Sequence, residues 1–427
     1  MLSVKFIREN ADRVKGDVVL RNVSAPIDEL IAADVRHRAL LVEVEDLRAQ
    51  KNVVSKEIGR TKDAGERDRR IAASREVGDR LAGLEKKLDA VAAEVHEMVM
   101  DIPNVLDAGI PHGPDEDSNV VLETFGAMPE FDFEPAAHWD IGPNMDGIDF
   151  ERGAKMSGTR FFVLRGGIAR LHRSLIQWML NFHIDEGGLT EHYLPVMLTE
   201  ESLFASGHLP KFRENLYGDH EDDYLFAPSA EAPFANLYRG EILPPGSLPM
   251  RFVAHSPCFR REKMSAGRDT RGLKRVHQFE KVEMFTFCDP ADSDDELLRL
   301  LERAKAVPEQ LKIPYRVLEL CSGDLDFKAT KGFDVEMWAP GIREWLEVSS
   351  ISNTRDFQAR RSNTRFRPEE GAGTQFPHML NGSGLGLPRT LISVIENYQE
   401  ADGGITVPDV LRPYMGCDRI PGPGEND

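Results

Sequence analysis

The sequence predicts an α+β chain in two parts: an N-terminal arm of two antiparallel helices paired as a coiled coil, then a body built on an antiparallel β-sheet flanked by helices. Three observations predict it. A sustained heptad seam lies within the first hundred residues. A stretch rich in Pro, Gly and Asp follows it. Beyond that, short β-type runs lie close together, broken by irregular connectors rather than regular crossover helices, which favours an antiparallel sheet over a doubly wound parallel one. The domains are expected at 1–104 for the hairpin and 105–427 for the body, with a connector over 105–150 and a disordered tail over about 418–427.

The arm is justified by its spacing. Val77, Leu81, Leu84, Leu88, Val91, Val95, Met98 and Ile102 alternate steps of four and three, a seam of a and d positions. A weaker partner runs through Leu40, Val44, Leu47, Lys51, Val54 and Ile58. TKDAGERDRR between them is polar with one glycine and predicts a turn, so the helices run antiparallel. About 30 residues per helix make a rod ~45 Å long. Ile102-Pro103 closes it, because the residue before a proline leaves the α region.

The distal half of the arm is basic. Residues 48–87 hold 12 Lys/Arg against 7 Asp/Glu, a local +5 in a chain whose formal charge is −19. The plain interpretation is a solvated coiled coil or a dimerisation device. The sharper one is an arm that grips a phosphate backbone. A hairpin already satisfies its own seam, which argues against dimerisation through it.

Composition bounds the rest. At 427 residues the chain exceeds one ordinary domain. With 41% hydrophobic and 29% charged residues it has the composition of a soluble globular protein. No apolar run is long enough to span a bilayer, and MLSVKFIRENADRVK is too charged for a signal peptide, so a cytoplasmic protein without a membrane partner is expected. Cys258, Cys288, Cys321 and Cys417 form no CxxC pair, which excludes a zinc ribbon and fits a reducing compartment.

In the body, Ile168, Leu171, Leu175 and Met179 predict a helix over about 166–186, and further helices are expected near 228–241, 293–312 and 389–400. HYLPVML, YLFAPS, MRFVAHS, RVHQFEKVEMFTF, FDVEMWAP and WLEVSSIS are the strand candidates. Two segments concentrate chemistry. FRREKMSAGRDTRGLKRVHQFEKVE reads as strand, charged loop, strand. Alternation puts Arg260 with Glu262 on one face, and Phe279, Lys281 and Glu283 on another. Arginine clamps a phosphate, phenylalanine stacks on a base, and a carboxylate accepts from an exocyclic amine. HMLNGSGLGLPRTLISVIENYQE is a glycine-rich strand end that opens a helix. Leu387 stands where the third glycine of a dinucleotide fingerprint belongs, and no parallel-sheet pattern follows, so a Rossmann fold is excluded. Arg389 near the helix start is suited to a terminal phosphate.

Together these segments resemble motifs 2 and 3 of the class II aminoacyl-tRNA synthetases. PSAEAPFANLYRGEIL, LEVSSISNTRDFQARR, SGHLPKF and LRPYMG are similar to segments of one member family, the seryl-tRNA synthetases of the common bacterial type. GLTEHYLPVM looks like motif 1, with Pro195 at the place of the dimer-interface proline. The resemblance spans residues 1–416.

It implies a class II catalytic domain with a six- or seven-stranded antiparallel sheet, a homodimer without zinc, ATP as substrate with Mg²⁺, and L-serine, tRNA(Ser) and tRNA(Sec) as partners. Arg260 and Arg389 would be catalytic, on the α-phosphate and carboxylate and on the γ-phosphate. Glu262 and Phe279 would bind adenine, Val276 would be a further ATP-binding residue, and Glu347 and Ser350 would hold Mg²⁺ between phosphates. Ser229, Glu231, Arg260, Glu283, Asn381 and Ser383 would hold serine. Lys51, Lys56, Arg60, Arg67, Arg70, Arg75 and Arg80 would meet tRNA. Singly, Glu231 or Glu347 would be an ordinary surface or ion-pair carboxylate; only the surrounding motif gives each another meaning.

The chain departs from the family pattern at several positions. Ser229 replaces a threonine and keeps its hydroxyl. Lys263-Met264 replace Ala-Gly, which bears on the shape of the motif 2 loop. Pro388 replaces a glycine, and proline is accepted in the first helical turn. Trp345-Leu346 and Ile351 also differ. No reactive group is lost, so an active enzyme is expected. The alternatives are a paralogue that charges a non-tRNA acceptor such as a carrier protein, and a non-enzymatic nucleic-acid-binding relative. The first is expected to lose the arm, and the second Arg260, Glu283, Glu347 or Arg389; all are present.

Overall fold

The computed structural model describes residues 1–263 and 271–424. They form two compact units: Met1–Val19 with Val23–Pro103, and Leu20–Asn22 with the chain from Asn104 onward.

In the first unit, α1 (Ile27–Arg60) and α2 (Ala64–Met100) make the hairpin. The predicted turn over 61–70 shrinks to Thr61–Asp63. Asp63 accepts the Glu66 amide at 2.7 Å, and this N-cap starts α2 early. Val44, Leu47 and Leu81 are buried in the seam, with Val77, Leu84 and Leu88 packed against them. Arg36 pairs with Glu94 at 2.6 Å and Arg48 with Glu85 at 2.7 Å. Partner numbers fall as residue numbers rise, the signature of antiparallel helices. Lys51, at a seam position, is exposed.

In the second unit, the connector is more ordered than predicted. It contains β1 (Val120–Phe125) and a helix at His138–Asn144. All six residues of β1 are exposed, so its burial gives no alternation to read. Next come α3 (Gly166–Asp185), β2 (Thr190–Glu191), β3 (Met250–Phe259), β4 (Gln278–Cys288), α4 (Ser293–Gln310), β5 (Tyr315–Glu319), β6 (Lys331–Ala339), β7 (Glu344–Asn353), β8 (His378–Gly386) and α5 (Leu387–Asn397). The helix expected over 228–241 is a single turn, Glu231–Phe234, followed by further turns.

One sheet has the order β1-β5-β6-β7-β8-β4-β3-β2. It has eight strands rather than six or seven, because short strands β1 and β2 close its two edges. The β2–β3 pairing is parallel, and the other pairings in this sheet are antiparallel.

One face of the sheet is mostly apolar. Val282, Met284, Val335, Met337 and Ile351 pack with Leu175, Leu301 and Leu391 of α3, α4 and α5 in the main core. The other face changes character along the strands. At one end Phe252, Phe285, Phe287 and Met379 pack against Phe234. At the other, the same alternation presents Phe279, Lys281 and Glu283. This switch, within one strand face, positions the site.

The tail was expected to be disordered from about 418. Instead Arg419–Ile420 pairs with Ile405–Thr406, Asp418 O accepts the Val407 amide at 2.8 Å, and Ile420 is buried in the main core. Ile420, this backbone pairing and the ion pairs of Arg419 with Glu400 and Asp402 anchor this Pro- and Gly-rich segment; residues 425–427 lie outside the described residues.

Candidate active site

The polar face is assembled across four strands. Ser383 opposes Glu283, and Ser352 opposes Asn381, so β8, β4 and β7 share it. Asp334 opposes Ser350 on β6 and β7. Three-residue spacing would ordinarily put Glu347 and Ser350 on opposite faces. A register shift lets Val335 oppose Ser349 while Glu336 opposes Glu347, and this bulge at Val348 turns Glu347 to the side of Asp334 and Ser350.

Arg260 and Glu262 follow the end of β3 rather than lying on it, and Glu262 has φ 51°, so the shared strand face expected for them is not formed. Arg260 is set by its amide donating to His277 O at 2.9 Å and its Nε to Pro228 O at 3.2 Å. Its guanidinium lies 5.2 Å from the Phe279 ring centroid. Glu262 faces Arg275 at 3.7 Å. Val276 is buried, which leaves its backbone as the group able to touch a ligand. Of the charged loop, Met264–Thr270 lies outside the described residues.

Ser229, Glu231 and Glu283 are buried together. Ser229 Oγ donates to Glu283 Oε2 at 3.0 Å and accepts the Glu231 amide at 3.1 Å. Lys281 pairs with the same Glu283 oxygen. Glu283 Oε1 and Asn381 Oδ1 are buried without a hydrogen-bond partner. Unpartnered buried acceptors cost stability, so these are places where a ligand's donors would be repaid in full. Burial pushes the Glu231 carboxyl above its usual range, and Lys328 opposes that. Ser383 is buried beside Glu283, its carbonyl accepting from Ser349 Oγ at 2.5 Å.

Arg389 leaves the first turn of α5 and reaches Glu347 twice, at 2.8 Å to its carbonyl and 3.2 Å to its carboxylate. Burial raises Glu347, but Arg389 by charge and hydrogen bond, helped by Arg260 and Arg275, brings it below the usual range. Asp334 behaves oppositely. Burial first, then Glu347, push it well above the carboxylate range, a hydrogen bond with Ser350 notwithstanding. Its Oδ1 is buried without a partner.

On the arm, Lys51, Lys56, Arg60, Arg67, Arg75 and Arg80 are exposed. Arg70 differs: it is half-buried and bound to Glu57 and to Glu66, the latter at 2.8 Å.

Residues 1–106 match the family described as the seryl-tRNA synthetase N-terminal domain, and 212–398 the tRNA synthetase class II core domain of the G, H, P, S and T enzymes. The chain is 52% identical over 416 residues to a serine–tRNA ligase of Thermomicrobium roseum, covering 97% of this chain and 94% of that one. It is 53% identical over 417 residues to that of Roseiflexus castenholzii, covering 97% and 98%. The chain belongs to the seryl-tRNA synthetase family. Its activity is that of an aminoacyl-tRNA ligase for serine. A crystal structure of the seryl-tRNA synthetase from Pyrococcus horikoshii, complexed with ATP, superposes with a TM-score of 0.92 at 34% identity over the whole of both chains.

Within this seryl-tRNA synthetase, sequence reasoning assigned no role to Lys281, Asp334, His208, Lys328 or Gln358. Lys281 and Asp334 had a usable signal: charged residues at the inward phase of strands otherwise legible by alternation. The other three come from loops and a short helix, where no period exists to mark them.

Proposed function

We propose that the chain activates L-serine with ATP to seryl-adenylate, then transfers the seryl group to the 3′ end of tRNA(Ser), and of tRNA(Sec). The observation that carries this reading is the pairing of two unpartnered acceptors, Glu283 Oε1 and Asn381 Oδ1, with the Arg260–Phe279 stack on one sheet face. Activation is an in-line attack by a carboxylate that is already ionised, so it needs no general base. Its rate comes from aligning two anions and offsetting the charge that develops. Arg260 holds the α-phosphate and serine carboxylate, and Arg389 the γ-phosphate. Phe279 stacks on adenine, with Glu262 and the Val276 backbone at its edge. Ser229, Glu231, Glu283, Asn381 and Ser383 hold serine by its ammonium and hydroxyl.

The buried, unpartnered Oδ1 of half-buried Asp334, pressed by the charge of Glu347, suits a cation. Glu347 and Ser350 would hold Mg²⁺ through oxygen, as that ion prefers. Bound there, Mg²⁺ supplies neutralisation of phosphate charge.

The exposed basic residues of the arm grip tRNA, and the protein works as a cytoplasmic homodimer with Pro195 at its interface. Among the described residues, no helix is long and apolar enough to cross a membrane. The test is ATP–pyrophosphate exchange with each of the twenty amino acids, followed by charging of a total tRNA pool. Exchange with serine and charging of serine tRNA are expected. Exchange without charging would favour the paralogue that serves another acceptor.

A further inference from the structure

Behind Glu231 of the serine pocket lies a buried set of groups, His208, Lys328 and Gln358, that the activation chemistry does not use. Glu231 is almost enclosed, and its two oxygens are treated differently. Oε1 accepts Gln358 Nε2 at 2.7 Å and faces Lys328 Nζ at 3.3 Å. Oε2 faces His208 Nε2 at 3.8 Å. Ser206 Oγ donates to Leu203 O at 3.2 Å, so the 2.9 Å contact between Ser206 Oγ and His208 Nδ1 is donated by the ring. That fixes the tautomer and leaves Nε2 a lone pair. Burial first, and then Lys328, hold His208 far below its ordinary range, so the ring is neutral. A carboxylate oxygen and an imidazole lone pair thus face each other across 3.8 Å. An ammonium group supplies N–H donors of the kind both lack.

Lys328 is 5% exposed and also pairs with Asp326 at 2.7 Å, whose side chain is 37% exposed at the edge of the cluster. Counting ion-paired groups, Glu231, Glu283 and Asp326 stand against Lys281 and Lys328. Three carboxylates face two ammoniums. Burial raises the Glu231 carboxyl, and Lys328 is the foremost charge opposing that rise.

We infer that Lys328, with Asp326, is a positioning residue for the amino-acid ammonium: it holds one oxygen of Glu231, keeps the other facing His208, and leaves this ion-paired cluster one positive charge short of neutral, Arg260 being matched by the substrate carboxylate and phosphate. The inference rests on the proposed serine site and adds the residues that set its charge. Lys328 does not touch the substrate. It acts through Glu231, so it governs amino-acid affinity and not the nucleotide.

The experiment is serine-dependent ATP–pyrophosphate exchange by the full-length enzyme carrying Lys328→Met. The KM for serine is expected to rise ~10- to 10²-fold, the scale of one hydrogen bond to a charged group, while the KM for ATP stays within about twofold. A second variant, Lys328→Met with Asp326→Asn, returns the count to two carboxylates against one ammonium. It is expected to fold like the parent and to recover part of the serine KM. If the single variant does not fold, the double variant carries the test, with serine KM raised several-fold and ATP KM unchanged. Serine KM within twofold of the parent in a folded variant, or serine and ATP constants rising together, overturns the inference. Absence of serine-dependent exchange in the parent enzyme would instead overturn the serine site itself.

Discussion

Ser229 and Glu283 are joined by a 3.0 Å hydrogen bond in which the hydroxyl donates to Oε2, and this leaves Oε1 of Glu283 buried with no donor. A serine hydroxyl would supply that donor; alanine would not. Rejecting a substrate that lacks the hydrogen-bonding group can reach ~10⁴ in kcat/KM, because the protein's buried acceptors stay unpaired. Exchange with alanine is therefore expected to be weaker than with serine by a factor approaching that. Threonine differs by a methyl only, so its exclusion is steric and smaller. Alanine-dependent exchange within tenfold of serine would sink the assignment of this pocket.

Arg389 is expected to matter for chemistry and hardly at all for stability. Its partner Glu347 is enclosed by the cleft but keeps 45% of its side chain open to solvent, and ion pairs solvated to that degree contribute about 0–1 kcal/mol. A charged contact made to a phosphate in the transition state is worth roughly 3–4 kcal/mol, or 10²–10³ in rate. Arg389→Ala should retain its thermal midpoint and lose adenylate formation by that factor. Near-normal pyrophosphate exchange by a folded mutant would remove Arg389 from the reaction.

His183 links α3 to the serine pocket. Its Nε2 donates to Gly384 O at 2.6 Å, next to Ser383, and a Cβ on Gly384 would sit 2.6 Å from that nitrogen. Burial lowers the ring from 6.5 to about 4, so the native state refuses a proton that the unfolded chain accepts. The unfolded state binds more protons between those values. Stability is complete above the unfolded pKa and falls as pH drops toward the folded one, by up to about 1.4 kcal/mol per pH unit. Urea midpoints measured between about pH 7 and pH 5 should fall. His183→Gln keeps a donor for Gly384 and cannot titrate, so its profile should be flatter. Equal slopes in parent and variant would show that other groups set the acid limit.

Much of this architecture is legible because burial imposes periods. The seam through Val77, Leu81, Leu84 and Leu88 gave the arm, and alternation through Phe279, Lys281 and Glu283 gave the polar face. Where a local device overrides the period, sequence reasoning fails. The bulge at Val348 unites Glu347 with Ser350, and nothing in the order of residues marks it. β1 is exposed on an edge and carries no alternation, and strand pairing, buried Ile420 and the ion pairs of Arg419 order a tail whose composition reads as disordered. Arg70 stands among the tRNA-meeting residues that the resemblance implies, and the sequence does not mark that Glu57 and Glu66 engage it.

That difference among the arm's basic residues shapes the last prediction. Residues 48–87 carry +5 and form the distal part of a hairpin whose seam is closed on itself. Lys51, Lys56, Arg60, Arg67, Arg75 and Arg80 are exposed and free to meet phosphates, so Arg70→Ala should weaken tRNA binding less than Arg67→Ala or Arg75→Ala. Replacing residues 48–87 with a short turn should leave serine-dependent exchange largely unchanged, since no group of the polar sheet face lies in that segment. Charging of serine tRNA should fall by orders of magnitude, chiefly through affinity. Each phosphate contact releases counterions, so the parent enzyme's tRNA affinity should decline with salt at a slope of about −0.7 to −0.9 per contact. The truncated enzyme should show a flatter dependence. Loss of exchange in a folded truncation would place the arm in the active site. Intact charging would make the hairpin a coiled coil and nothing more, because the charge it carries would then have no phosphate to meet.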